Sequence, residues 1–102
     1  GAYVKFSRRH NDFALAAVAV TGEVKEGRVF NVKIAALGAA DRPVRLRKAE
    51  AVLEGAPLRP EVIDEAVEAA RREANPPSDF RASAEYRRHL IGVALRRALG
   101  RL

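Results

Sequence analysis

From Phe13 to Thr21 the chain reads Phe-Ala-Leu-Ala-Ala-Val-Ala-Val-Thr, apolar at both odd and even positions. The next apolar stretch, Val29 to Ala35, alternates instead: Phe30, Val32 and Ile34 share one side, Asn31 and Lys33 the other. Alternation with period two marks a half-buried strand, and a run apolar on both sides suits a strand inside a sheet. Four alanines leave helix as an alternative for the first run. The clean alternation of the second decides for strand. Lys25-Glu26-Gly27 separates the two, and Gly27 can take the positive φ that a tight turn requires. The pattern predicts a β-hairpin over about residues 12 to 37. Two strands alone are marginal, so residues 2–9 or 44–47 are expected to supply a third.

Gly38 ends the alternation and Pro43 blocks regular pairing, which makes residues 38–43 a connection. Beyond it the period changes. Leu46, Ala49, Val52 and Leu53 are spaced for a short amphipathic helix, with Gly55 just past its end. Pro60 suits the first turn of a second helix, whose apolar side is Ile63, Val67, Ala70 and Ala74. Its acids, Glu61, Asp64 and Glu65, lie near the start and Arg71 and Arg72 near the end, as the helix dipole favours. Asn75 and Pro76 stop it. Ser83 is a plausible N-cap for a third helix running to the C-terminus, with Leu90, Ile91, Ala94, Leu95, Ala98 and Leu102 on its apolar side. Strands first and helices after predict an α+β fold: an antiparallel sheet of about three strands, one face covered by three helices.

Length and composition narrow the class. The 102 residues suit a single domain spanning 1–102, and 48% hydrophobic with 31% charged residues suits a globular one. There is no cysteine, which excludes disulfides, thiol nucleophiles and cysteine-ligated clusters within this chain and is compatible with the cytosol. The longest apolar run, Phe13 to Val20, is too short to span a membrane, and the N-terminus lacks a signal-peptide pattern. The net charge of +6 is a footprint of nucleic-acid binders. Against that, the arginines come as scattered pairs with acids between them.

Equipment for chemistry is sparse. His10 and His89 stand alone, without a metal-ligand spacing. No serine sits in a nucleophile elbow, and the seven glycines never gather into a phosphate loop. Glu61, Asp64, Glu65 and Glu68 fit a solvated helix side better than an acid–base dyad. Three polar clusters remain: Tyr3 to Ala14, Gly38 to Pro43, and Ser78 to Arg88 behind the Pro76-Pro77 stop. The last packs two hydroxyls, two carboxylates, three guanidiniums and two aromatics into eleven residues. Singly, these suit a strand lead-in, a turn and a helix N-terminus.

In this order and spacing they carry a resemblance. Lys5-Phe6-Ser7-Arg8-Arg9, Asp12-Phe13-Ala14, the Gly38 to Pro43 connection and Ser83-Ala84-Glu85-Tyr86-Arg87-Arg88 together resemble the C-terminal domain of the FAD-binding medium subunit of molybdenum hydroxylases, the carbon monoxide dehydrogenase and xanthine dehydrogenase family. The resemblance covers essentially the whole chain. It implies an oxidoreductase complex of three parts: a subunit with two [2Fe–2S] clusters, one with a molybdenum–pterin cofactor, and this one with FAD. Electrons from the molybdenum site would pass through the clusters to the flavin. FAD is implied for the full-length subunit, held mostly by preceding FAD-binding domains, with no cofactor expected on this chain alone. The resemblance further implies that residues 38–43 form a wall beside the flavin ring. Asp41 and Arg42 would lie close to it, and Gly38 would allow close backbone approach. Arg8, Arg9 and Asp12 would pack against neighbours. No catalytic residue is implied, and the domain is expected to be silent alone. The competing reading is a small basic module binding nucleic acid or protein, whose affinity for nucleic acid would fall steeply with salt.

Overall fold

A computed structural model describes residues 2–7, 14–38, 42–76, 78 and 82–102. Four strands come first: β1 (Ala2–Ser7), β2 (Ala14–Lys25), β3 (Arg28–Leu37) and β4 (Val44–Arg45). Helices α1 (Arg47–Leu53), α2 (Pro60–Glu73) and α3 (Ala84–Leu99) follow. The strands pair antiparallel in sequence order, β1-β2-β3-β4. Both segments that could have supplied a third strand therefore join the hairpin, β1 along β2 and the two-residue β4 against Ala35 and Ala36. The α+β class and the central hairpin hold as the pattern predicts.

The hairpin turns on Glu26 and Gly27, at φ 52° and 76°. Two successive positive φ values match the right-handed twist of the flanking strands, and glycine takes the second without strain. One expectation needs correcting. Phe30 does not share the face of Val32 and Ile34. Thr21 pairs with Lys33 but Glu23 with Phe30, so β3 carries one extra residue, a bulge at Asn31 with φ 56°. The bulge flips the side-chain phase. Val29, Val32, Ile34 and Ala36 are buried, while Phe30 is only half-buried.

The core lies between one sheet face and the helices. Val18, Val20, Val29 and Ile34 meet Leu46, Leu53, Ile91 and Leu95, all with no measurable exposure. The three helices do not cover the sheet equally. Helix α3 crosses β1 and β2, α1 runs beside β3, and α2 packs on α1 and α3 rather than on strands. At the α2–α3 crossing, a Cβ on Gly92 would come within 2.9 Å of Arg71 Cδ, so a hydrogen side chain sets the spacing there.

The helix starts explain part of the polar sequence. Ser83 Oγ accepts from the Tyr86 amide at 3.0 Å, as an N-cap should, and Ser78 Oγ accepts from the Ala84 amide at 2.6 Å. The two serines of the Ser78 to Arg88 cluster thus form a doubled cap; Asp79, Phe80 and Arg81 lie outside the described residues. Helix α1 has no side-chain cap of its own. Glu73 of α2 supplies one, accepting from the Lys48 amide at 3.0 Å.

Candidate functional site

The candidate site is the β3–β4 connection. β3 stops at Leu37, Gly38 turns the chain with φ 83°, and the chain re-enters the sheet at Val44, paired with Ala36. A positive φ of this size is strained for any residue with a Cβ, which accounts for glycine there. Arg42 and Pro43 are exposed. Asp41, together with Ala39 and Ala40, lies outside the described residues. So do Arg8, Arg9, His10, Asp12 and Phe13 of the first cluster. The strands that bracket that cluster are described: Ser7 pairs with Ala14, and Ala17 with Leu37. The β1–β2 and β3–β4 connections therefore leave the same end of the sheet. Two of the three clusters that the sequence singled out thus start from one end of the sheet.

Beside this connection the sheet's outer face is apolar where an exposed antiparallel face is usually polar. Buried Ala17, partly buried Ala19 and Ala35, and exposed Leu37 and Pro43 line a cleft of about 130 Å³ there. Further from the connection the same face turns polar, with Thr21, Glu23, Asn31 and Lys33. Ligand pockets are typically ~300–1,000 Å³. The cleft is thus smaller than a typical ligand pocket and too small for a dinucleotide.

Sequence reasoning missed what holds this connection in place. Glu50 of α1 is only 9% exposed. Its carboxylate accepts from the Ile34 amide at 2.9 Å and from Arg45 Nε and Nη2, each at 2.7 Å. Ile34 belongs to β3 and Arg45 to β4, so one carboxylate ties together the two strands that flank residues 38–43. Paired forks of this kind are the stronger class of protein hydrogen bond. The Arg45 guanidinium holds the Glu50 carboxyl below the usual glutamate range; the Ile34 amide acts in the same direction, and burial opposes both. One turn later Glu54 repeats the device, accepting from the Asn31 and Val32 amides at 3.0 and 2.9 Å. These are the amides at the bulge. Glu50 and Glu54 follow the buried Leu46 at intervals of four, but Glu54 is exposed, and the spacing alone names no partner for either carboxylate.

Elsewhere two of the helix arginines are paired. Arg71 pairs with Glu68 at 3.0 Å and Arg96 with Asp64 at 2.8 Å, beside the exposed His89. Interleaving of this kind counts against an arginine face for phosphate. Among the described residues no His, Asp or Glu group could hold a metal ion, and no helix is long and apolar enough to cross a membrane.

Comparison with known proteins supplies the class. Residues 1–102 match the family of CO dehydrogenase flavoprotein C-terminal domains. The chain belongs to this family, the C-terminal domain of the FAD-binding subunit of molybdenum hydroxylases. It is 39% identical over 97 residues to the nicotine 6-hydroxylase medium subunit of Paenarthrobacter nicotinovorans, covering 95% of this chain and 34% of that one. The carbon monoxide dehydrogenase medium chain of Afipia carboxidovorans is 38% identical over 100 residues, covering 98% and 35%. Among solved structures, carbon monoxide dehydrogenase from Hydrogenophaga pseudoflava lacking the Mo-pyranopterin moiety superposes with a TM-score of 0.92. That match has 33% identity and covers 97% of this chain and 34% of that one. The chain thus spans about a third of the length of the relatives it matches.

Proposed function

We propose that residues 1–102 form a single domain that completes the FAD site of a medium subunit without holding the cofactor alone. In this reading the preceding FAD-binding domains carry the dinucleotide, and residues 38–43, with Gly38, Asp41 and Arg42, make a wall beside the flavin ring. Iron–sulfur and molybdenum–pterin subunits are the partners, and electrons pass from [2Fe–2S] clusters to the flavin. The domain contributes shape, electrostatics and an interface to an oxidoreductase, with no catalytic residue of its own. A fixed guanidinium near the ring would favour its reduced, more negative form.

The observation that carries this reading is a positive-φ glycine and an exposed arginine beside a flat apolar cleft, in a chain whose family is a flavoprotein domain. Two measurements test it. Titrating FAD into the 102-residue chain should give no saturable binding, whereas the full-length subunit should bind. Replacing Arg42 by Ala in that subunit should lower the flavin midpoint potential. Tight FAD binding by the 102 residues would sink the division of labour.

A further inference from the structure

Gly38 and Arg42 can stand beside a ring only if the strands they leave from are fixed, and β4 alone is a small support. β4 is two residues long and pairs only with Ala35 and Ala36. So short a strand is weak support for a six-residue connection. The support comes from α1. Glu50 binds the Ile34 amide on one side of the connection and both nitrogens of the Arg45 fork on the other, at 2.7 to 2.9 Å. The Leu46 amide adds a bond to the Ile34 carbonyl at 2.9 Å. The ends of the connection are thereby clamped to a helix whose Ala49 and Leu53 are locked in the core.

We propose that Glu50 and Arg45 are positioning residues for the flavin-facing wall: the pair sets where Gly38 and Arg42 stand relative to the ring. This rests on the reading of residues 38–43 given above. Glu54 provides an internal comparison. It anchors the same helix to the same strand through two amides, but at Asn31 and Val32, far along β3 from the connection. Loss of either carboxylate loosens α1 on β3; only loss of Glu50 frees the wall.

The test uses the full-length FAD-binding subunit assembled with its partners, with three readouts: the visible flavin spectrum, the FAD dissociation constant and the urea midpoint. Glu50→Gln keeps the shape of the side chain and removes its charge. It should alter the flavin spectrum and weaken FAD about tenfold, equivalent to about 1.4 kcal/mol. Arg45→Ala should do the same, and it keeps the test available if the Gln variant fails to fold. Glu54→Gln should lower the urea midpoint while leaving spectrum and FAD affinity unchanged. If Glu54→Gln disturbs the flavin as much as Glu50→Gln, the effect is general destabilisation and the proposal fails. It also fails if Arg42→Ala changes the spectrum while Glu50→Gln and Arg45→Ala do not. Should Arg42→Ala leave the flavin untouched as well, the wall itself is misassigned, and the proposal goes with it.

Discussion

The two edges of this sheet are built on opposite plans. The outer edge of β3 is closed along its length. β4 pairs with Ala35 and Ala36, Glu50 takes the Ile34 amide, and Glu54 takes the amides of Val32 and Asn31. Beyond the bulge, Val29 exchanges bonds with Gly55 and Ala56, and the Gly27 carbonyl accepts from Leu58. β1 at the other edge pairs with β2 alone among the described residues. An unpaired strand edge is a ready template for another strand, and proteins usually blunt it. Here one edge is blunted by a helix carrying two carboxylates. The closed edge is the one attached to the candidate flavin wall, where a displaced strand would move functional residues.

The sharpest way to break this contrast is Glu50→Ala. It leaves the Ile34 amide without its acceptor beside the core, while the exposed Arg45 guanidinium returns to water, and should cost about 2–3 kcal/mol in urea unfolding. A loss under about 0.5 kcal/mol, the range of ordinary surface substitutions, would mean that the edge is held by packing alone. Glu54→Ala should cost less, about 1–2 kcal/mol, because Glu54 is exposed and water can replace it at the bulge. Equal losses would erase the distinction between the two carboxylates.

Acidity gives a third test. The folded-state pKa of Glu50 is depressed, so its contribution is complete above the unfolded glutamate value of about 4.3 and is lost as pH falls through the lower folded value. Comparing unfolding of the native chain and Glu50→Gln should therefore show the stability gap closing below about pH 4. A gap that persists unchanged to pH 2 would contradict the charge-based clamp. The gentlest probe is amide hydrogen exchange. The Ile34 and Val32 amides should be protected although they sit on an outer edge, while alternate amides of β1 exchange readily. Protection of every β1 amide would show that its edge is covered by something, a second copy of the chain being the first candidate to check by sedimentation.

Most of the architecture was legible from local signals. Glu26-Gly27 announced the turn, Gly55 and Pro60 bounded the helices, and Ser83 capped α3 as its position suggested. The failures share a cause. Phe30 was misplaced because one residue in a left-handed conformation reverses a period-two pattern, and nothing in the alternation itself marks Asn31 as that residue. β4 is too short to have a period. Glu50 and Glu54 look like solvated helix acids unless one asks where the amides of β3 find acceptors, which is a question about the sheet edge and not about the helix. The candidate site was legible only as a set of polar clusters. That two of them start from one end of the sheet became visible once the strand pairing was known.

The chain order of the core has a consequence for synthesis. The hairpin that supplies Val18, Val20 and Ile34 is complete at Leu37, yet Ile91 and Leu95, which cover it, belong to the last helix. At ~5–20 residues per second, a ribosome takes roughly 3–12 s to cross the interval between them. Throughout that time the nascent sheet presents part of its aliphatic face to solvent or to a chaperone, and α3 closes it as a lid closes a box.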